Sequence, residues 1–373
     1  MRAPRSYTGE DVVELSCHGS PALLRAVLQR LVEHGARLAE PGEFTRRAFL
    51  NGRLDLAQAE AVALLISART ERAVKLAARS VAGELGRRLH ALRDRLLDLV
   101  AGLEVTLDFP EDGVGIEPSA AASSVRALVA EVATLRDGAH RGRVVHDGMT
   151  VAIIGAPNAG KSSLLNALVG RERAIVSPIA GTTRDVIEVT LDLGGIPIRL
   201  LDTAGIGTPR DALEAEGMTR TRRAMDDSDL LIVVVDGAAP VPYELLEETR
   251  DRPRVVVRSK SDLGGAPAAG GTEAIAVSAK TGTGLDLLTQ RIEQAAASGG
   301  DTGDELMASL RQIEALDALE HALIAAEQAL KDAPVEVSLV DLREALTDVS
   351  GLLGLDVRDA VLDRIFATFC LGK

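Results

Sequence analysis

The sequence predicts a multidomain chain: an α/β P-loop domain with a mostly parallel sheet, inserted in an all-α helical domain and preceded by a partial α+β N-terminal domain. Three observations predict it. Leucines recur at helical spacing both before residue 140 and after residue 300. Between them, short β-branched runs alternate with helical ones, the pattern of a parallel sheet wrapped by helices. Inside that middle stretch one glycine-rich turn has a strand signal before it and a helix signal after it.

Residues 1–52 mix short apolar runs with the breakers Gly19-Ser20-Pro21 and Pro41-Gly42, a texture distinct from the helices that follow. Residues 53–147 are the first part of the helical domain. There Leu85, Leu89, Leu92, Leu96, Leu99 and Leu103 make one apolar stripe, which Pro110 and Gly113 end. Gly83, Gly86 and Gly102 interrupt the stripe and predict helices shorter than its length. Residues 148–294 are the α/β domain, with buried strands expected at Val151–Ile154, Ile198–Leu201, Leu230–Val235, Val255–Val257 and Ala274–Val277. Residues 295–373 return to helix, with stripes through Leu316, Leu319, Leu323, Ala326 and Leu330, then Leu339, Leu342, Leu346, Val349 and Leu353. A compact α/β unit has its termini close together, so it can sit in a loop of a helical bundle; three domains in a row is the alternative.

Composition excludes several classes. The 373 residues are 46% apolar, enough for sizeable cores, and Lys+Arg 42 against Asp+Glu 55 gives −13, so no global positive field draws the chain onto nucleic acid. Aromatics at 2% leave little for base-stacking platforms. Two cysteines, Cys17 and Cys370, make no disulfide framework and suit a reducing cytoplasm. The first ten residues lack the apolar core of a signal peptide, and the densest apolar run is far below a membrane span. The ending Cys370-Leu-Gly-Lys373 has the form of a prenylation box, but its Gly and Lys argue against one.

The chemistry is concentrated in the middle. Gly155-Ala-Pro-Asn-Ala-Gly160-Lys161-Ser162 fits G-x-x-x-x-G-K-[ST]. Its glycines let backbone N–H groups wrap phosphates, Lys161 reaches the β- and γ-phosphates, and the Ser162 hydroxyl suits Mg²⁺. Downstream, Asp202-Thr203-Ala204-Gly205 closes a strand where an acidic residue holds Mg²⁺ through water and a glycine senses the γ-phosphate. The loop Ser177-Pro178-Ile179-Ala180-Gly181-Thr182-Thr183 lies between, and Thr183 would complete the Mg²⁺ shell. Ser259-Lys260-Ser261-Asp262 stands where guanine-binding proteins carry N-K-x-D. Asp262 can accept from guanine N1–H and the 2-amino group, which adenine cannot satisfy. The Lys260 stem can cover the base plane, and Ser278-Ala279-Lys280 supplies a last backbone contact. With Asn158, Ala159, Gly160 and Ser163 of the first loop, these are the expected nucleotide contacts, and GTP is the expected nucleotide. Ser259 in place of Asn is expected to cost a donor–acceptor pair at the base. Ile206 cannot orient water, so hydrolysis must use another group; Glu214 and Glu216 are equal candidates from the residues alone.

The Pro157-Asn158 variant of the P-loop, the block Gly181-Thr-Thr-Arg-Asp185 and the ending Phe369-Cys-Leu-Gly-Lys373 together resemble the MnmE/TrmE family. Pro41–Phe49 and Asn51–Glu60 look like the segment before that family's first helices. The resemblance implies a K⁺-activated GTPase that, with an FAD-dependent partner subunit, modifies C5 of the wobble uridine of certain tRNAs using a tetrahydrofolate one-carbon unit. It implies a homodimer through the N-terminal and G domains, and no membrane association. By similarity Asn158, Ser177, Ile179 and Thr182 would ligate K⁺, and Glu214 would be the water-orienting glutamate. Cys370 would be a chemical participant, and Glu14, Arg53 and Lys373 would contact the folate. The resemblance starts near Tyr7, past the family's glycine-rich β segment, so the folate pocket is expected to be incomplete. Arg46-Arg47 and Arg220, Arg222 and Arg223 are either RNA contacts or solvated faces. Two other readings compete: a non-enzymatic nucleotide-switched scaffold, and a ribosome-assembly GTPase, which would usually append a basic RNA-binding domain.

Overall fold

The computed structural model describes every residue except 110, 112–114, 172, 176–186, 203–220, 238–242, 265–273, 297–303, 356–358 and 370–373. The elements in chain order are α1 (Pro21–Glu33), α2 (Glu43–Leu50), α3 (Leu56–Ser67), α4 (Glu71–Val81), α5 (Glu84–Asp108) and α6 (Pro118–Asp147), followed by β1 (Met149–Gly155), α7 (Lys161–Arg171), β2 (Arg173–Ala174), β3 (Ile187–Leu193) and β4 (Ile196–Asp202). Then come β5 (Leu230–Asp236), α8 (Tyr243–Glu248), β6 (Arg254–Ser259), β7 (Ala274–Ala276), α9 (Leu285–Ala296), α10 (Leu310–Asp332), α11 (Val335–Leu353) and α12 (Asp359–Phe366). The chain forms two compact units. One gathers Met1–Ser67, Lys75–His140 and Asp304–Lys373; the other gathers Ala68–Val74 and Arg141–Gly303. Helical segments from both sides of the α/β stretch thus share one unit, the arrangement of an inserted domain.

The first unit is a helical bundle. All three predicted stripes meet in its core: Leu89, Leu92, Leu96 and Leu103 of α5 are fully buried with Leu316, Leu319 and Leu323 of α10 and Leu342 and Val349 of α11. Each such side chain contributes roughly 1.5–3 kcal/mol relative to exposure. The expectation of short helices is corrected here, because α5 runs 25 residues without a break through Gly86 and Gly102. Those glycines make space instead: a Cβ at Gly86 would overlap the Asp55 carboxylate, and one at Gly102 the Ile116 side chain. A second cluster joins α3 to the chain's end, with Leu56 and Ala59 against Leu362, Phe366 and Phe369. An ion pair on the buried Glu60 also ties α3 to α10: the Arg311 guanidinium donates to both of its oxygens at 2.8 and 2.9 Å.

Arg46 and Arg47 are committed within this unit. Arg46 pairs with Asp363 at 2.9 Å, and Arg47 pairs with Glu10 at 3.1 Å and Glu43 at 2.7 Å. Hydrogen bonds from Arg37, the Glu40 amide and Arg47 hold the Glu43 carboxyl well below the usual carboxylate range, from 4.5 to about 2. A depressed folded value means the stabilisation is present above 4.5 and is lost as pH falls toward 2. The stability difference between wild type and Glu43→Gln, read from denaturant melts, should therefore be constant near neutrality and shrink across that acid window.

The second unit holds a seven-stranded sheet of order β2-β3-β4-β1-β5-β6-β7. Strands β4, β1, β5, β6 and β7 run parallel, while β2, β3 and β4 pair antiparallel. β1 and β5 are buried along most of their length, as their unbroken apolar runs require. β2 and β3 were not among the predicted strands. β3 turns into β4 through Gly194-Gly195, both at positive φ (59° and 81°), as a two-residue hairpin demands. Residues from before α4 pack against this turn: Thr70 Oγ1 donates to the Gly195 carbonyl at 2.7 Å.

Candidate functional site

The site is built at the C-terminal ends of parallel strands, where α/β sheets bind ligands. β1 ends at Gly155, whose missing side chain is required because a Cβ there would overlap the Val234 carbonyl of β5. The loop then reaches Asn158 in the left-handed region (φ 61°), a conformation that costs a non-glycine residue on the order of 1 kcal/mol. α7 begins at Lys161, which is buried, with Nζ donating to the carbonyls of Gly155 (3.1 Å) and Ala156 (3.0 Å). Ser162 and Ser163 are exposed on the first turn of α7. The β1–β4 register sets Asp202 beside Ile153, so the end of β4 borders the same loop.

The base-reading segment sits against this loop. Ser259 ends β6 and is buried; its Oγ donates to the Ala159 carbonyl at 2.5 Å. This hydroxyl braces the end of β6 against the P-loop. Lys260 is also left-handed (φ 56°), and its Nζ donates to the Asn158 carbonyl at 3.0 Å and to Asp236 Oδ2 at 2.6 Å. Ser261 and Asp262 form a short 3₁₀ turn, with Asp262 exposed. The buried Ser278 hydroxyl donates to Asp262 Oδ1 at 2.7 Å and accepts from the Thr281 amide at 3.2 Å. The Ser278 hydrogen bond, with Asp262's own amide and the Lys280 charge, holds the Asp262 carboxyl below its ordinary range. Ala279 and Lys280 follow in the turn after Ser278. Asp236, the last residue of β5, was missed in the sequence; an acidic residue ending an apolar strand was its only local signal.

Of the other expected contacts, Ser177, Pro178, Ile179, Ala180, Gly181, Thr182, Thr183, Thr203, Ala204, Gly205, Glu214, Glu216, Arg220, Cys370 and Lys373 lie outside the described residues, as does the Asp202 side chain. Glu14 and Arg53 are both exposed. Arg222 approaches Glu248 at 3.7 Å. Among the described residues no helix is long and apolar enough to cross a membrane.

Comparison with known proteins converges on one family. The MnmE helical domain model matches residues 56–370, and the model of the GTP-binding protein TrmE N-terminus matches residues 1–53. The tRNA modification GTPase MnmE of Thermus thermophilus is 46% identical over 377 residues, covering 100% of this chain and 84% of that relative. The protein of the same name from Koribacter versatilis is 43% identical over 379 residues, covering 99% of this chain and 84% of that relative. Among solved structures, Aquifex aeolicus Era bound to GDP·AlF4⁻ is 28% identical, covering 48% of this chain and 67% of that one with a TM-score of 0.33. Together with the P-loop and the base-reading segment, the two domain matches and the relatives covering nearly the whole chain establish that it belongs to the MnmE/TrmE family of tRNA modification GTPases.

Proposed function

We propose that this chain is a K⁺-activated GTP hydrolase that serves tRNA modification at C5 of the wobble uridine, working in the cytoplasm with an FAD-dependent partner subunit and a tetrahydrofolate one-carbon donor. The observation that carries the GTP reading is the direct bracing of the base-reading segment on the phosphate loop, through Ser259 on Ala159 and Lys260 on Asn158. Phosphate position and base identity are then read by one connected set of groups.

In this reading Lys161 leaves its two loop carbonyls for the β- and γ-phosphates, and Asp262 accepts from guanine N1–H and the 2-amino group. Ser162, with Thr183, would hold Mg²⁺; an exposed hydroxyl at the start of α7 is a hard oxygen donor that suits it. Asn158, with Ser177, Ile179 and Thr182, would hold K⁺, and the exposed Asn158 on the P-loop carries a suitable amide oxygen. Both cations, when bound, supply positive charge against the phosphates. Glu214 would orient the attacking water. Cys370 would take part in the tRNA chemistry, and Glu14, Arg53 and Lys373 would contact the folate in a homodimer formed through the N-terminal and G domains.

Phosphate release from GTP and ATP, measured in K⁺ and in Na⁺ buffers, tests the proposal. Turnover of GTP alone, faster in K⁺, is expected. Equal rates in the two salts would overturn the K⁺ site, and ATP turnover would overturn the base assignment.

A further inference from the structure

We infer that Asp236 is a positioning residue for guanine recognition: its carboxylate fixes the Lys260 ammonium so that the Lys260 stem lies where the base plane must sit. The inference rests on the GTP reading above and adds a residue that the nucleotide motifs do not contain.

The chain places Asp236 there by strand register. β5 and β6 run parallel with Asp236 opposite Ser259, so the next residue on β6, Lys260, emerges beside the carboxylate. Gly237 seals that junction: its amide donates to the Ser259 carbonyl at 3.0 Å, and a Cβ on it would stand 2.5 Å from the same oxygen. Lys260 then adopts a left-handed backbone, and its Nζ reaches Asp236 Oδ2 at 2.6 Å and the Asn158 carbonyl at 3.0 Å. Among the described residues, Asn158 and Lys260 are the two non-glycine positions with positive φ, and this ammonium joins them.

A lysine stem with a free head samples many rotamers, and burying it against a ligand costs that freedom. Anchoring the head beforehand removes most of the cost and leaves the methylenes as a preformed apolar surface. The Asn158 carbonyl alone is a neutral acceptor, whereas Asp236 adds a charge-assisted bond. At 37% and 23% exposure the pair is partly screened, so its effect is moderate. The effect also belongs to binding, because Asp236 acts on Lys260 of the base-reading segment.

The test is a double-mutant cycle on the full chain, with a fluorescent GDP analogue as the probe and Asp236→Ala, Lys260→Ala and the double variant compared. Asp236→Ala should weaken GDP binding about two- to fivefold, and Asp236→Asn by less, since an amide oxygen still accepts. In the Lys260→Ala background the Asp236 substitution should have little further effect. KM for GTP should rise in step with the loss, with kcat at saturation within about twofold. Additive losses, or unchanged affinity in Asp236→Ala, would overturn the inference. So would parallel drops in kcat and in the melting temperature of the nucleotide-free protein, which would mark a merely structural residue. Wild-type protein that binds no GDP would overturn the GTP reading and this inference with it. Normal wild-type binding with an indifferent Asp236→Ala would sink the inference alone.

Discussion

Lys161→Ala is expected to lower GTP turnover by about 10²- to 10³-fold, the loss associated with removing one preorganised charge donor from a phosphoryl-transfer site. The side chain is buried at the root of the P-loop, and its ammonium is held by the Gly155 and Ala156 carbonyls. Those two bonds keep a full positive charge inside the loop before any nucleotide arrives, and the move to the phosphates exchanges neutral acceptors for charged ones. In a partly desolvated loop that charge is worth more than in bulk water. Arginine should not rescue the activity. Its planar guanidinium is larger and cannot occupy the space of an ammonium between two neighbouring carbonyls. Lys161→Met keeps most of the stem's packing and removes only the charge, which separates chemistry from folding. Phosphate release under single-turnover conditions, alongside circular dichroism of each variant, reads the outcome. Activity within a few-fold of wild type in Lys161→Met would remove Lys161 from the catalytic machinery.

The parts of this molecule that were legible in the sequence are those in which the deciding contacts are local. The P-loop is one contiguous segment between a strand and a helix, and the α5 leucine stripe is one helix face, so both could be read residue by residue. Gly86 and Gly102 could not. Helix propensity marks them as breaks, while the reason they are tolerated is Asp55 and Ile116, which approach from other segments. β3 is less legible because Ile187-Glu-Val-Thr-Leu-Asp-Leu193 alternates, as an antiparallel strand toward the sheet edge does, whereas buried parallel strands show as unbroken apolar runs. The base-reading end is harder still, since it is assembled from the ends of β5, β6 and β7. Ser259 and Asp236 meet the P-loop and Lys260 only once those strands are in register. A motif comparison sees that Ser259 replaces an asparagine. It cannot see that the hydroxyl braces the Ala159 carbonyl.

Asp262→Asn is expected to invert base preference, lowering the use of GTP by at least about 10²-fold while xanthosine triphosphate becomes the better substrate. A carboxylate offers only acceptors, which match guanine's N1–H and 2-amino donors. An amide offers one acceptor and one donor, and its orientation here is set by Ser278. The Ser278 hydroxyl accepts from the Thr281 amide and directs its own hydrogen to Asp262 Oδ1. In the variant this hydrogen requires the amide oxygen at that position, which turns the NH₂ toward the base. Guanine's 2-amino group would then meet another donor, whereas the 2-oxo group of xanthine would accept from it. Acidification should not imitate the substitution at ordinary pH. The hydrogen bond from Ser278 holds the Asp262 carboxyl below its usual range, so it stays ionised until well into acid. Phosphate release from GTP and from xanthosine triphosphate at matched concentrations decides the matter. Retained preference for GTP in Asp262→Asn would mean that another group reads the base, whereas an inverted ratio would place guanine selection on this one carboxylate and the serine that aims it.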